Sequence, residues 1–243
     1  HRDLHSFPTR RSSDLERVKY AGDLKDNERK KYLHDFEIYA RDVATRAHKQ
    51  AKQTGKPVDL EWAARDYETY LSFSGDSKHA DKIRLNLAEA YYHLKMGTEA
   101  GRYYEELAKV VRSKKGLKDM QESAVESYIL ALKRTNKLTL LQRTQARYGF
   151  RSMGRAYIKS FPKSKIVPEV WFNVAQSYYD ERRFKLAIKY LTGYIDNFPK
   201  GNKVSLAANL VLDVYNQQED YDGLIKAGKQ ILANKSKIGR AHV

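Results

Sequence analysis

Residues 167–201 read VPEVWFNVAQSYYDERRFKLAIKYLTGYIDNFPKG. Trp171, Val174, Ala175 and Tyr178 form one apolar stripe at helical spacing, and Ala187 and Leu191 carry a second beyond the polar break DERR. The spacing predicts two helices joined by a short turn, which must then lie antiparallel. Small side chains at Ala175 and Ala187 let the two backbones come close, while Trp171 and Tyr178 fill the space toward neighbouring helices. Pro199 cannot continue the second helix and ends it. The closing string FPKG at 198–201 has a counterpart, FPKS at 161–164, 37 residues earlier. Self-similarity with a period in the thirties marks stacked helical repeats.

The same pattern extends outward. Leu33, Phe36, Ala40, Val43 and Ala47 make a stripe that stops at Gly55 and Pro57. Asp59 is placed to cap the next helix, which carries Leu60, Ala63, Tyr67, Tyr70 and Leu71 and ends near Gly75. Ile83, Leu87, Ala88, Tyr91 and Leu94 define a third helix with Gly97 as its stop. Proline and glycine are sparse, 5 and 13 among 243 residues, and no hairpin dipeptide separates β-branched runs. The chain reads as all-α with about ten helices.

These residues resemble the tetratricopeptide repeat family. Trp171, Val174, Ala175, Tyr178, Ala187, Leu191 and Pro199 stand at that family's seven signature sites, and only Leu191 departs from the usual aromatic. A second copy runs from about Lys78, with Ala88, Tyr91, Ala100 and Tyr104 in register. A third begins near Lys203, with Leu212, Tyr215 and Leu224 on the same frame and Gly228 departing from it. The resemblance implies a right-handed superhelical solenoid of antiparallel helix hairpins. Residues 16–77 are expected to form a degenerate or capping hairpin. Residues 78–237 are expected to hold the repeats, with an insertion near 133–145, KRTNKLTLLQRTQ.

Both ends of the chain read differently. HRDLHSFPTRRSSDL at 1–15 and IGRAHV at 238–243 resemble in-frame translations of the adapters ligated to DNA for sequencing. They are expected to be non-native tails and are set aside from the fold. The formal charge is +16, and removing Arg2, Arg10, Arg11 and Arg240 against Asp3 and Asp14 leaves +14 for residues 16–237. A balance of that size attracts acidic partners, nucleic acid or anionic membrane surfaces. Runs such as KVVRSKKGLK, KRTNK and ERRFK contribute, spread over many helices, and no nucleic-acid-binding module motif accompanies them.

Several chemistries are excluded or unsupported. With no cysteine there is no disulfide framework, thiolate nucleophile or cysteine metal site. No two of His34, His48, His79 and His93 stand three or four residues apart, so no helical face offers a two-histidine metal site. There is no glycine-rich phosphate cradle and no nucleophile elbow, and carboxylate pairs such as Glu105 and Glu106 fall on solvated faces. No apolar run reaches the roughly 18 residues of a spanning helix. No catalysis, metal or cofactor is expected.

What the resemblance implies instead is binding. In such arrays the first helix of each hairpin lines a concave groove. Here the register offers Lys82, Leu85, Glu89, Tyr92 and His93 from one copy, and Glu169, Phe172, Gln176, Tyr179 and Asp180 from another. The pairs Tyr91 and Tyr92, and Tyr178 and Tyr179, are expected to put one ring in the core and its neighbour toward the groove. Tyrosine gives contact area at little rotamer cost. The basic and Asn residues with which some family members clamp a terminal carboxylate are absent, Phe172 and Gln176 standing at those sites. The expected partner is a protein or peptide, with acidic ones favoured by charge, and nucleic acid is the alternative. The linker style resembles repeats of bacterial envelope proteins, which implies a periplasmic or outer-membrane-associated scaffold, with the cytoplasm as the alternative.

Overall fold

The computed structural model describes residues 25–239. The expected tail 1–15, the stretch 16–24 and residues 240–243 lie outside the described residues, as do the side chains of Leu33 and Phe36. Ten α-helices and one short 3₁₀ helix form among the described residues, and no strand. The chain divides into two compact units. The first ends at Val111 and holds α1 (Asp26–Thr54), α2 (Pro57–Ser74), α3 (Ala80–His93) and α4 (Gly97–Val110). The second begins at Arg112 with α5 (Lys114–Leu132) and α6 (Leu140–Ser160). It continues through α7 (Val167–Asp180), α8 (Phe184–Asn197), α9 (Val204–Gln217) and α10 (Tyr221–Gly239). Within each unit a helix packs mainly on the helices before and after it in sequence. That is the contact pattern of stacked hairpins.

Two helix boundaries differ from the sequence expectation. α2 starts at Pro57, whose missing N–H costs nothing at a first helical position. Asp59 therefore lies inside the first turn, where it accepts the Thr54 hydroxyl at 2.5 Å rather than capping. Gly97 does not stop α3 but is the buried first residue of α4. Gly55, by contrast, ends α1 as expected, with φ 63 in the left-handed region.

The hairpin that contains residues 133–145 is longer than its neighbours. α5 has 19 residues and α6 has 21, against 14 in each of α3, α4, α7, α8 and α9. A 3₁₀ turn at Thr135–Lys137 bridges them, and a reciprocal cap starts α6. There Thr139 Oγ1 accepts from the Gln142 amide at 3.2 Å, and Gln142 Oε1 accepts from the Thr139 amide at 3.1 Å. α6 holds its neighbours close through two glycines. A Cβ at Gly149 would fall 2.2 Å from the Tyr128 ring of α5, and one at Gly154 would fall 2.7 Å from Val174 of α7.

The α7/α8 hairpin is built as its residues dictate. Ala175, Ala187 and Leu191 are fully buried. Trp171 donates its indole N–H to the Tyr190 carbonyl at 2.9 Å and meets Phe198 edge-on at 5.7 Å. Pro199 lies in the turn after α8. Ala88 and Ala100 are fully buried in the first unit, with Tyr91 and Tyr104 beside them in the core.

Candidate partner-binding groove

Three first helices end alike. The carbonyls of Tyr91, Tyr178 and Tyr215 accept from the amides of Met96, Arg183 and Asp220 at 2.8, 2.9 and 3.0 Å, each closing a loop of six residues. In each loop the residue four beyond the tyrosine, Lys95, Arg182 or Glu219, has φ between 56 and 62. This closure turns the chain sharply and leads into a second helix packed antiparallel on the first. The same tyrosine, the same turn and fully buried small residues at Ala88, Ala100, Ala175 and Ala187 recur. The repeats are tetratricopeptide-like.

No family model and no curated protein matches the chain. Solved structures of similar fold include the TPR-like repeats of a putative kinesin light chain from Podosopora anserina. It has 14% identity over 81% of this chain and 96% of that one, with a TM-score of 0.41. The apo form of RapI has 15% identity over 79% and 69%, with a TM-score of 0.40. Aspartyl phosphate phosphatase F from Bacillus subtilis has 15% identity over 95% of this chain and 62% of that one, with a TM-score of 0.38. Scores of this size fix no residue correspondence.

In the second unit the tetratricopeptide register places Glu169, Gln176 and Asp180 exposed on α7, with Tyr179 half-buried beside them. Tyr178 is buried and carries an arginine on each of two contacts, Arg151 at 5.3 Å and Arg183 at 5.4 Å from the ring centre. Tyr179 reaches across to the next first helix. Its hydroxyl donates to Asp213 and accepts from Gln217 Nε2 at 3.1 Å, while Gln217 Nε2 also donates to Asp213 at 2.5 Å. The Asp213 carboxylate raises the Tyr179 phenol above its usual range and is itself held low by that hydrogen bond. Arg182 joins at 3.3 Å through Gln217 Oε1.

Phe172 is a correction. It does not line a groove but is 2% exposed, edge-on to Tyr194 of α8 at 5.6 Å, with Lys203 Nζ 5.9 Å from its ring centre. A large apolar ring at this point of α7 gains more from the α8 side than from solvent.

In the first unit Lys82 and His93 are exposed and Leu85, Glu89 and Tyr92 are half-buried. Tyr92 meets His93 edge-on at 6.1 Å and lies 5.9 Å from Lys95 Nζ. Glu89 pairs with Lys52 of α1 at 3.7 Å. Beside that pair His48 is buried, with neither ring nitrogen hydrogen-bonded among the described residues. Burial, then the Lys52 charge, lowers its pKa. Tyr91 is buried and donates to Glu68 of α2 at 2.5 Å.

Sequence reading missed the residues that complete these surfaces. Asp213 and Gln217 stand 37 residues beyond Gln176 and Asp180, so the repeat period would have found them. Lys52 and His48 lie on a helix with no legible signature, and only the packing of α1 brings them to Glu89. Among the described residues no group of three or more His, Asp or Glu side chains could hold a metal ion. No described helix is long and apolar enough to cross a membrane.

Proposed function

We propose that this chain is a non-catalytic tetratricopeptide scaffold that holds a protein or peptide partner on the first helices of its hairpins. The observation that carries this reading is the polar seam from α7 to α9. Tyr179 joins Asp213 and Gln217 of the next first helix through direct hydrogen bonds, and the exposed Gln176 and Asp180 flank it on α7. Such a seam orients an incoming backbone or side chain at several fixed points while the half-buried tyrosine supplies contact area. Glu169, Lys82, Leu85, Glu89, Tyr92 and His93 extend the binding set within their own units. The linkers FPKS and FPKG support assigning the scaffold to a bacterial cell-envelope assembly or maintenance complex, periplasmic or outer-membrane-associated.

A photo-crosslinking residue at Gln176, with a second variant carrying it at the exposed Lys163 as control, tests the reading. In solubilised envelopes of a Gram-negative bacterium, one dominant protein adduct from position 176 and none from 163 is expected. Equal labelling from both positions, or adducts only to nucleic acid, would overturn the groove assignment. Recovery of the adduct solely from cytosol would overturn the envelope assignment.

A further inference from the structure

The charge of this protein belongs almost entirely to one unit. Residues 25–111 hold 16 Lys and Arg against 15 Asp and Glu, a balance of +1, whereas residues 112–239 hold 24 against 11, a balance of +13. Between Glu126 and Glu169 lie 42 residues with ten cations and no acid. The densest part is α6, where Arg143, Arg147, Arg151, Arg155 and Lys159 recur every fourth residue. At 1.5 Å of rise per residue, successive members stand about 6 Å apart along the helix, winding about 40° per step. Arg147, Arg151 and Arg155 therefore stay on one side.

Two neighbouring carboxylates at the end of α7 face this stripe, Asp180 through its attraction to Arg147 and Glu181 through ion pairs. Glu181, just past the end of α7, takes Arg151 at 2.7 Å and Arg147 at 3.9 Å. Arg151 is buried and also donates to Ser177 Oγ at 3.1 Å, so it is committed to holding α6 on α7. Arg155 turns its Nε to the Arg151 carbonyl at 3.1 Å and remains exposed, as does Lys159 one turn on. From the α7/α8 turn Arg183 is exposed over the same Tyr178 ring that Arg151 faces. The cations at this edge outnumber the acids that reach them, and an arriving anion relieves their mutual repulsion.

We propose that Arg147, Arg155, Lys159 and Arg183, arrayed around Arg151, form a docking surface for an acidic, Asp- and Glu-rich protein segment, separate from the first-helix groove. Guanidinium groups bind carboxylates in two-pronged geometry. An extended chain rises about 3.3 Å per residue, so alternate carboxylates stand about 6.6 Å apart, close to the step of the stripe. Nucleic acid fits less well. Single strands need successive exposed rings for base stacking, and here Tyr157 and Tyr178 are buried, leaving Tyr148 exposed on α6. The proposal rests on the protein-binding reading above and adds the chemistry of a partner.

The test uses the whole chain and fluorescence anisotropy with a labelled glutamate peptide of about ten residues and a labelled thymidine strand of about twenty. Arg155→Glu/Lys159→Glu is compared with Lys200→Glu/Lys229→Glu, which changes net charge equally at exposed positions of the same unit. At about 0.1 M salt the first pair is expected to lose about tenfold in glutamate-peptide affinity and the second less than about twofold. Arg155→Gln alone, which disturbs folding least, should lose about threefold. Equal losses from both pairs would mean attraction by diffuse charge and would overturn the site, as would no binding by the parent chain. Tighter thymidine binding with the same dependence on the stripe would replace the acidic partner with nucleic acid. Crosslinking from Gln176 that survives the stripe substitutions leaves the groove reading standing whichever way this result falls.

Discussion

The side-chain oxygens of Tyr157 and Ser164 lie 2.7 Å apart, and the same phenol donates to Glu122 on the preceding helix. Tyr70 and Ser77 repeat the contact at 2.6 Å, with Glu37 at 2.6 Å. In each case a tyrosine near the end of a second helix clasps the loop that follows and ties it to the first helix of its own hairpin. Both phenols are pushed up to about 12, by burial first and then by the carboxylate. At the third equivalent place, Tyr194 is followed by Gly201. A Cβ there would stand 2.5 Å from the Tyr194 hydroxyl, so the serine of the other two copies has no room.

Tyr157→Phe should therefore cost about 1–2 kcal/mol, the range for a buried hydrogen bond whose charged partner survives. Glu122 keeps Lys118 at 3.4 Å, which limits the loss. Tyr70→Phe should cost a similar amount, and since the two clasps share no partner the double variant should show the sum. Urea denaturation of the three variants measures this, and a double variant no worse than either single one would show that the clasps are not load-sharing contacts of this kind.

Ala175→Leu should destabilise by about 1–3 kcal/mol through overpacking. Ala175 is fully buried between α7 and α8, and Ala187 opposite has no exposed surface to yield. Thermal unfolding decides the point. An unchanged melting temperature would place the hairpin contact elsewhere.

Asp66 carries a pH signature. Burial raises its carboxyl to about 6 from 3.8, against a smaller opposing pull from Arg65. A folded-state pKa above the unfolded one means that the folded chain holds the proton more tightly. This contribution is full below pH 3.8 and is lost as pH rises through about 6. Asp66→Asn should consequently gain about 1–2 kcal/mol at pH 7 and nearly nothing at pH 4. Denaturation at the two pH values checks it, and an equal gain at both would assign the effect to packing.

Glu219→Gly should stabilise by about 0.5–1 kcal/mol. The left-handed region costs a side chain about 1–2 kcal/mol, and glycine's greater freedom when unfolded returns part of that. Glu219 is exposed at φ 56, and its turn is closed by backbone hydrogen bonds, from its own amide to the Asn216 carbonyl and from Asp220 to Tyr215. Calorimetry on the pair of proteins reads the difference, and a fall in stability would show that the glutamate side chain contributes to the turn.

Where side-chain pattern sets backbone structure, the sequence was legible. The α7/α8 hairpin could be read from Trp171, Ala175, Tyr178 and Ala187 because small and aromatic residues at those spacings leave few ways to pack. The length of the α5/α6 hairpin was visible as a stretch of unusual spacing. Helix starts were read less well: Asp59 looked like a cap, but Pro57 three residues on from Thr54 fixes the chain for helix earlier. Phe172 was misplaced because register tells which face of a helix a residue occupies, and the depth of that face depends on Tyr194 of another helix. The arginine stripe was written openly in α6 and overlooked among the other basic runs, since only the helix brings every fourth residue into line.

The three hairpin tips, finally, bear on how this chain can change. Each is closed by backbone atoms alone, from Tyr91, Tyr178 and Tyr215, so the fold does not depend on which side chain occupies the left-handed position. Two tips now carry a cation and one an anion, in Lys95, Arg182 and Glu219. Glycine would relieve the left-handed backbone at each, though at Lys95 and Arg182 it would also remove contacts to Tyr92 and Gln217. A lineage of such proteins can thus revise the charge at its tips by single substitutions, at small and similar cost, and acquire new partners without redrawing a helix.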